Sequence, residues 1–284
     1  MKENNINGFN VVIDISYVAH KSYFIAKKVN KSVSDDLLLD ILKRDLINIY
    51  NRLNIQKIYL AFDSYSALYW RKNIDAMYKA NRINKQQDYC TAIDQLYKEL
   101  LIDNRFISIK IDEAEADDII ALVIDAYWDT NNLIISNDSD LRQLLDKNVM
   151  IYNSNSTYPI VFCHELYNYK DFPYLKLYPK CKLKKVNPVF ELMLKILNGD
   201  STDNIKPLVS ISKKKAIEFY NSFLKKQLDC NLYNYDFLSI KLQEFLKKEI
   251  EITEDNLKKQ LSLVVLDKSF FPEKIVNQFK KFIE

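Results

Sequence analysis

Three short apolar runs in this 284-residue chain end on or beside an aspartate, and no other feature constrains the fold as much. Asn10-Val-Val-Ile-Asp-Ile15 carries Asp14 near its carboxyl end, Ile58-Tyr-Leu-Ala-Phe62 is followed by Asp63, and Asn131-Asn-Leu-Ile-Ile-Ser136 runs into Asn137-Asp-Ser-Asp140. Each has the length and composition of a buried strand. Between the first two, Asp35 to Leu53 shows helical spacing at Leu38, Leu39, Leu42, Leu46 and Ile49, with Ser34 as the N-cap. Strand, helix, strand is the unit of an open parallel α/β sheet, and sites in such sheets form beyond the carboxyl ends of the strands. A charged residue in an apolar run is rarely buried unpaired. The three acids therefore mark either edge positions or a common site.

A third strand, Phe106 to Ile111, leads into five acids within seven residues: Asp112, Glu113, Glu115, Asp117 and Asp118. Two readings stay open. Acids in a first helical turn are favoured by the helix dipole. Alternatively they hold a metal, because crowded carboxylates raise one another's pKa unless a cation neutralises them. Asp138 and Asp140, two apart in an extended segment, project to one side. Val149 to Tyr152 reads as a further strand and Tyr158 to Phe162 as a hairpin-like extension.

Tyr69 to Lys85 differs in character. Arg71, Lys72, Lys79, Arg82 and Lys85 face a single acid, with Tyr69, Trp70 and Tyr78 interleaved. Aromatic faces stack on bases while Lys and Arg meet phosphates, although a solvated basic helix with aromatics packed behind it fits too. Cys90 to Leu101 continues as an amphipathic helix, on the same principle of spacing. From Lys182 the texture turns helical. Asn187-Pro188 starts a helix that stops at Gly199, followed by Asp200-Ser-Thr-Asp203-Asn204. After Ser212, Lys213, Lys214 and Lys215 fill the first turn of another helix. The dipole disfavours cations there, so they meet phosphate or are merely solvated.

Two histidines (His20, His164) and four cysteines without Cys-x-x-Cys spacing leave any metal to oxygen ligands, which points to Mg2+ or Mn2+. The net charge is +3; adding back the nine acids assigned below to one site gives a body of +12, suited to a polyanion. No apolar run approaches the roughly 20 residues of a membrane span, and the N-terminus lacks a signal pattern. A reduced, cytoplasmic setting is expected.

Glu115-Ala-Asp-Asp118, Ser136-Asn-Asp-Ser-Asp140, Gly199-Asp-Ser-Thr-Asp-Asn204 and Tyr78-Lys-Ala-Asn-Arg82 together resemble motifs of the 5′-nuclease (flap endonuclease) superfamily, in particular its bacteriophage-type ribonuclease H and 5′–3′ exonuclease branch. The likeness runs in order from Val11 to Ala216. It implies an α/β, PIN-like nuclease core over 1–185 with a central, mostly parallel sheet and a helical arch at about 65–105. A smaller C-terminal helical, helix–hairpin–helix-like DNA-binding domain would occupy 186–284. It further implies two Mg2+ ions, replaceable by Mn2+, held by Asp14, Asp63, Glu115, Asp117, Asp118, Asp138 and Asp140, with Asp200 and Asp203 completing the second, weaker site. Asp112 and Glu113 are left as a solvated helix start. Lys79 and Arg82 match catalytic arch residues. Tyr78, Arg71, Lys72, Lys85 and Lys213 to Lys215 would contact nucleic acid.

The activity so implied is hydrolysis at the 5′ end of RNA primers or DNA flaps on duplex DNA during phage-like replication. The partner would be a DNA or RNA–DNA duplex, met by a monomer, with a single-strand-binding protein or a clamp as further partners. One departure stands out: Ile205 to Ser212, where many members carry a glycine-rich hairpin, has no glycine. Two rivals remain. A PIN-type single-strand ribonuclease explains the core acids but neither the basic arch nor the Asp200/Asp203 turn. An inactive DNA-binding protein on the same scaffold should have lost some acids, and all nine are present.

Overall fold

The computed structural model describes residues 9–30, 32–52, 55–82, 89–153, 160–163, 182–224, 232–247 and 252–283. β1 (Phe9–Asp14) is buried along its whole length and pairs in parallel with β2 (Ile55–Phe62) on one side. Its other neighbour, also parallel, is β4 (Asn132–Ile135). β3 (Ile107–Lys110) joins β2 in parallel, and β5 (Val149–Tyr152) joins β4 likewise. β6 (Ile160–Cys163) runs antiparallel to β5 as the expected extension, and β7 (Leu183–Val186) closes the order β3-β2-β1-β4-β5-β6-β7. β7 lies where helical texture was expected; Leu183 to Lys185 stay partly exposed, so no apolar run marks it. The chain builds outward from β1 through β2 to β3, then returns to β4 on the other side of β1. The carboxyl ends of β1 and β4 therefore flank a topological switch point, where open α/β sheets place their sites.

α1 (Ile15–Val29), absent from the sequence-based expectations, starts without a turn: Asp14 both ends β1 and caps the helix, its Oδ1 accepting the Tyr17 N–H at 3.0 Å. With α2 (Asp35–Arg52) it covers the sheet face carrying Val11, Ile13, Ile58, Leu60 and Phe62. The alternate residues Val12, Tyr59 and Ala61 point to the opposite face, as the period of two requires. Between β2 and β3 come α3 (Tyr69–Ile74), a run of turns over 75–82, and α4 (Cys90–Leu100). These are the described parts of the expected arch. α4 buries Ala92, Leu96 and Leu100 in the same core as α1 and α2, so it is a covering helix of the sheet.

The opposite face is covered by α5 (Ala116–Ala126), whose Ile119–Ile124 run is wholly buried. Then follow α6 (Pro188–Asn198), α7 (Lys213–Phe219, continued by a π-helical turn over Tyr220–Leu224), α8 (Tyr235–Leu246) and α9 (Glu254–Val264). They share a core that includes Met193, Ile196, Phe219, Leu238 and Leu261. α10 (Glu273–Lys280) instead packs Ile275 and Phe279 beside α5. The helical core, which also takes in Tyr78, includes Val265, whereas Leu266, Phe271, Ile275 and Phe279 pack in the core of the sheet and α5. Among the described residues no helix is long and apolar enough to cross a membrane.

Candidate metal centre

Asp14, Asp63 and Asp138 leave the carboxyl ends of β1, β2 and β4, and Asp117 joins them from the first turn of α5. Asp63 Oδ1 accepts the Ala116 N–H at 2.8 Å, which fixes the start of α5, and its Oδ2 accepts the Ser16 hydroxyl at 2.5 Å. Asp14 Oδ2 accepts the Ser136 hydroxyl at 2.8 Å, and Asp138 Oδ1 accepts the Asp140 N–H at 2.8 Å. Burial, then the charge of Asp63, pushes Asp14 up to about 7, against the hydrogen bonds from Tyr17 and Ser136. Asp117 is driven well above the usual carboxylate range by burial, then by Asp138 and Asp14, with Lys79 pulling the other way. Among the described residues none of these four acids has an ion-pair partner within 4.0 Å. Crowded, partly desolvated carboxylates without a cation favour the approach of a hard divalent ion.

A second group adjoins the first. Asp140, Asp200 and Asp203 each offer an oxygen within 4.8 Å of the others. Here the protein supplies cations itself. Lys195, in the last turn of α6, donates to Asp200 Oδ2 at 2.7 Å and pairs with Asp140. Arg82 Nη2 lies 2.5 Å from Asp203 Oδ1, and Lys79 Nζ 3.7 Å from Asp203 Oδ2. Burial and the charge of Asp138 raise Asp140 to about 6 despite Lys195. Asp200, pushed up by burial, is held at about 2 by the stronger pull of its hydrogen bonds from Lys195 and Thr202. Burial keeps Asp203 above its ordinary value although Lys79 and Arg82 oppose it. Lys195 was not anticipated; its signal in the sequence is a single cation in the last turn of a helix otherwise rich in apolar residues.

Gly199 does more than cap α6. Its φ is +66°, and a Cβ there would sit 2.3 Å from the Ile205 carbonyl oxygen. That close approach lets Asp200 and Ile205 exchange backbone hydrogen bonds at 3.0 and 2.8 Å, closing the turn that presents Asp200 and Asp203. The glycine-free stretch after it is held by the Asn198 side chain, which accepts from Ile211 N–H at 2.9 Å and donates to its carbonyl at 3.1 Å.

The acid run over 112–118 is divided among three environments. Asp117 joins the first acid group. Asp118, expected as a metal ligand, is fully buried with both oxygens occupied: Arg71 donates at 2.6 and 3.1 Å, the Glu115 N–H at 3.0 Å and Trp70 Nε1 at 3.4 Å. Glu115, also expected as a metal ligand, has both oxygens taken as well, accepting from Arg71 at 2.7 Å and from the Tyr78 hydroxyl at 2.9 Å, and pairing with Lys79. Asp112 and Glu113 are not in the helix but in the turn before it, paired with Lys274 at 3.3 and 3.0 Å.

Two expected nucleic-acid contacts are corrected by the same network. Arg71 is 2% exposed because it neutralises Glu115 and Asp118 and stacks on Trp70 at 4.1 Å. A guanidinium removed from water needs that many counter-charges. Tyr78 is buried with its hydroxyl committed to Glu115, so its ring has no face for a base. Lys79 and Arg82, expected as catalytic arch residues, stand outside any helix. Both lie in the turns over 75–82, yet both reach Asp203. Lys72 on α3 and Lys213 to Lys215 in the first turn of α7 are exposed as expected. Lys85 lies outside the described residues.

Residues 10–170 match the family model described as the 5′-3′ exonuclease, N-terminal resolvase-like domain. The chain belongs to this 5′-3′ exonuclease family. It is similar to the 5′-3′ exonuclease of Mycoplasmopsis pulmonis, 29% identical over 214 residues covering 75% of this chain and 66% of the relative. It is also similar to ribonuclease H of Enterobacteria phage T4, 27% identical over 208 residues, 68% of this chain and 61% of the relative. The chain thus spans just under two thirds of the length of either. The fold superposes on a bacteriophage T5 flap endonuclease in a pseudo-enzyme–product complex with DNA and metal ions. The TM-score is 0.58 at 17% identity, covering 96% of this chain and 97% of that one. Within the family span, the acids of the first group and Asp140 occupy the strand ends and the start of α5; Asp200 and Asp203 lie beyond it.

Proposed function

We propose that this chain is a divalent-metal-dependent 5′–3′ exonuclease and flap endonuclease that hydrolyses phosphodiesters at the 5′ ends of RNA primers or DNA flaps on duplex DNA, with Mg2+ as its ion and Mn2+ as a substitute. The observation that carries this reading is the pair of adjoining acid groups, one without an ion pair among the described residues and one bridged by Lys195, Lys79 and Arg82. The relatives' names and the DNA and metal ions bound by the T5 enzyme support it.

Asp14, Asp63, Asp117 and Asp138 hold one ion, and Asp140, Asp200 and Asp203 the other. Bound there, divalent ions supply Lewis acidity and a hydrolytic nucleophile at neutral pH. Ser136 and Ser16 orient Asp14 and Asp63 by donating to the oxygens Oδ2. Lys79, buried against Glu115 and Asp203, and Arg82, exposed at the edge of the second group, would exchange these acids for a phosphate oxygen and stabilise charge developing on it. The exposed Lys72 and Lys213 to Lys215 meet backbone phosphates, an interaction that weakens with salt.

Cleavage of a 5′-labelled flap duplex with Mg2+, comparing the wild type with Asp138→Ala, tests the reading. Product from the wild type and none from the variant is expected. Equal binding with no cleavage by either protein leaves an inactive DNA-binding scaffold. A preference for single-stranded RNA favours the PIN-type ribonuclease.

A further inference from the structure

The turns over 75–82 and 200–205 are stitched together in a way that neither acid coordination nor phosphate contact requires. The Lys79 N–H donates to the Asp203 carbonyl at 2.8 Å. Asn81 Nδ2 donates to the Ser201 carbonyl at 2.8 Å, and Asn204 Nδ2 to the Met77 carbonyl at 2.7 Å. The two asparagines are reciprocal: each reaches from its own turn to the backbone of the other. The two backbones also share a conformation, since Lys79 (φ 53°) and Asn204 (φ 58°) are both left-handed. Asn tolerates that region, but a lysine there is uncommon and persists only where its surroundings hold it. Its own N–H, bonded to Asp203, is part of that hold.

We propose that Asn81 and Asn204 are positioning residues that lock the turn carrying Lys79 and Arg82 to the turn carrying Asp200 and Asp203. The inference rests on the proposed nuclease function and deepens it. The cations that meet the scissile phosphate and the acids of the second group then move as one body. A phosphate engaged by Lys79 is thereby set at a fixed place relative to Asp200 and Asp203. Without the lock, the turn keeps the Lys79 N–H bond to Asp203 and the Tyr78 hydroxyl bond to Glu115, but loses both side-chain ties to the facing backbone, so Lys79 and Arg82 sample positions out of line with the reacting bond. Substrate affinity is carried elsewhere, by Lys72 and Lys213 to Lys215, so the lock governs the chemical step and leaves binding alone.

Asn81→Ala and Asn204→Gly test this. Asn81 is exposed, so its truncation leaves the core untouched, and glycine at 204 keeps the left-handed backbone while removing only the donor. Single-turnover cleavage of a flap duplex should fall roughly 10- to 100-fold in each variant, the scale of a small misplacement of a catalytic group. Duplex affinity measured in EDTA should stay within about twofold, and amide exchange over 75–82 should quicken. In a Lys79→Ala/Arg82→Ala background, adding Asn81→Ala should cost less than about twofold more, because residues acting through one another are not additive. Wild-type rates in both variants, unchanged exchange, or a full further loss in that background overturns the lock while leaving the nuclease reading intact. A wild-type protein that does not cleave overturns the proposed function and the lock with it.

Discussion

The two acid groups use one residue type and are neutralised in opposite ways. Asp14, Asp63 and Asp138 are oriented by hydroxyls and backbone N–H groups and Asp117 joins them from α5, with no ion pair among the described residues, and burial lifts Asp14 and Asp117. Asp140, Asp200 and Asp203 are bridged by Lys195, Lys79 and Arg82. The first group lacks compensation for its own charge and so gains most from an external cation. The second is already partly satisfied, and an ion entering it must displace ammonium or guanidinium contacts. On the proposed two-ion reading, unequal affinity would follow from the protein's own side chains rather than from the number of carboxylates.

Removing a ligand from the first group should have the largest effect. Asp14→Asn is expected to lower cleavage about 10³-fold, the scale of losing a preorganised electrostatic contact. The metal-free protein should melt no earlier than the wild type at pH 8, since the amide can still cap α1 and carries no charge to desolvate. A clear fall in the metal-free melting temperature would break the comparison by showing that Asp14 is held as a structural anion.

Asp118→Asn should behave in the opposite way, because Asp118 belongs to neither group. Leaving Arg71 short of a buried partner should destabilise the fold by about 3 kcal/mol, while divalent-ion affinity measured by calorimetry stays unchanged. A tenfold loss of affinity with normal stability would return Asp118 to the metal site.

Lys195→Met addresses the second group. Loss of the cation shared by Asp140 and Asp200 should lower metal-free stability at pH 8 by about 2 kcal/mol, since it leaves hydrogen-bonded charges unpaired. Saturating Mg2+ should restore most of that loss. A melting temperature indifferent to both the mutation and the ion would show that Lys195 is not the counter-cation.

The smallest effect is a pH dependence. Asp14 at about 7 and Asp140 at about 6 titrate above their unfolded value of 3.8. The stability they contribute is therefore complete below about pH 4 and is lost as pH rises through 6 to 7. Asp200, at about 2, contributes in full above about pH 4, and its contribution is lost as pH falls from 4 toward 2. The rise in melting temperature on adding Mg2+ should accordingly be greatest at pH 8 and shrink by pH 5.5, as protons occupy Asp14 and Asp140. A rise that grows toward low pH would contradict the raised values.

The parallel strands were legible because a buried strand on a switch-point sheet reads as a short apolar run, and an acid at its end interrupts that run visibly. α1 was not, because it begins on the strand's last residue with no turn chemistry to announce it. β7 was not, because an edge strand needs no apolar alternation. The acids were legible as a set from their spacing, but their sorting was not. Asp117 and Asp118 are adjacent in sequence, yet a helix turns neighbouring side chains about 100° apart. One enters the cleft and the other faces Arg71 and Trp70.

Taken alone, the sequence determined the α/β core, the strand ends that carry Asp14, Asp63 and Asp138, and the nuclease family these acids imply. Those follow from local periodicity and from short spacings along the chain. Only the tertiary structure decided that Arg71 and Tyr78 are internal partners of acids, that Lys195 bridges Asp140 and Asp200, and that Asn81 and Asn204 tie two turns more than 100 residues apart. These are pairings of charges and hydrogen bonds across the fold, and a charge along the chain carries no mark of which distant partner will neutralise it.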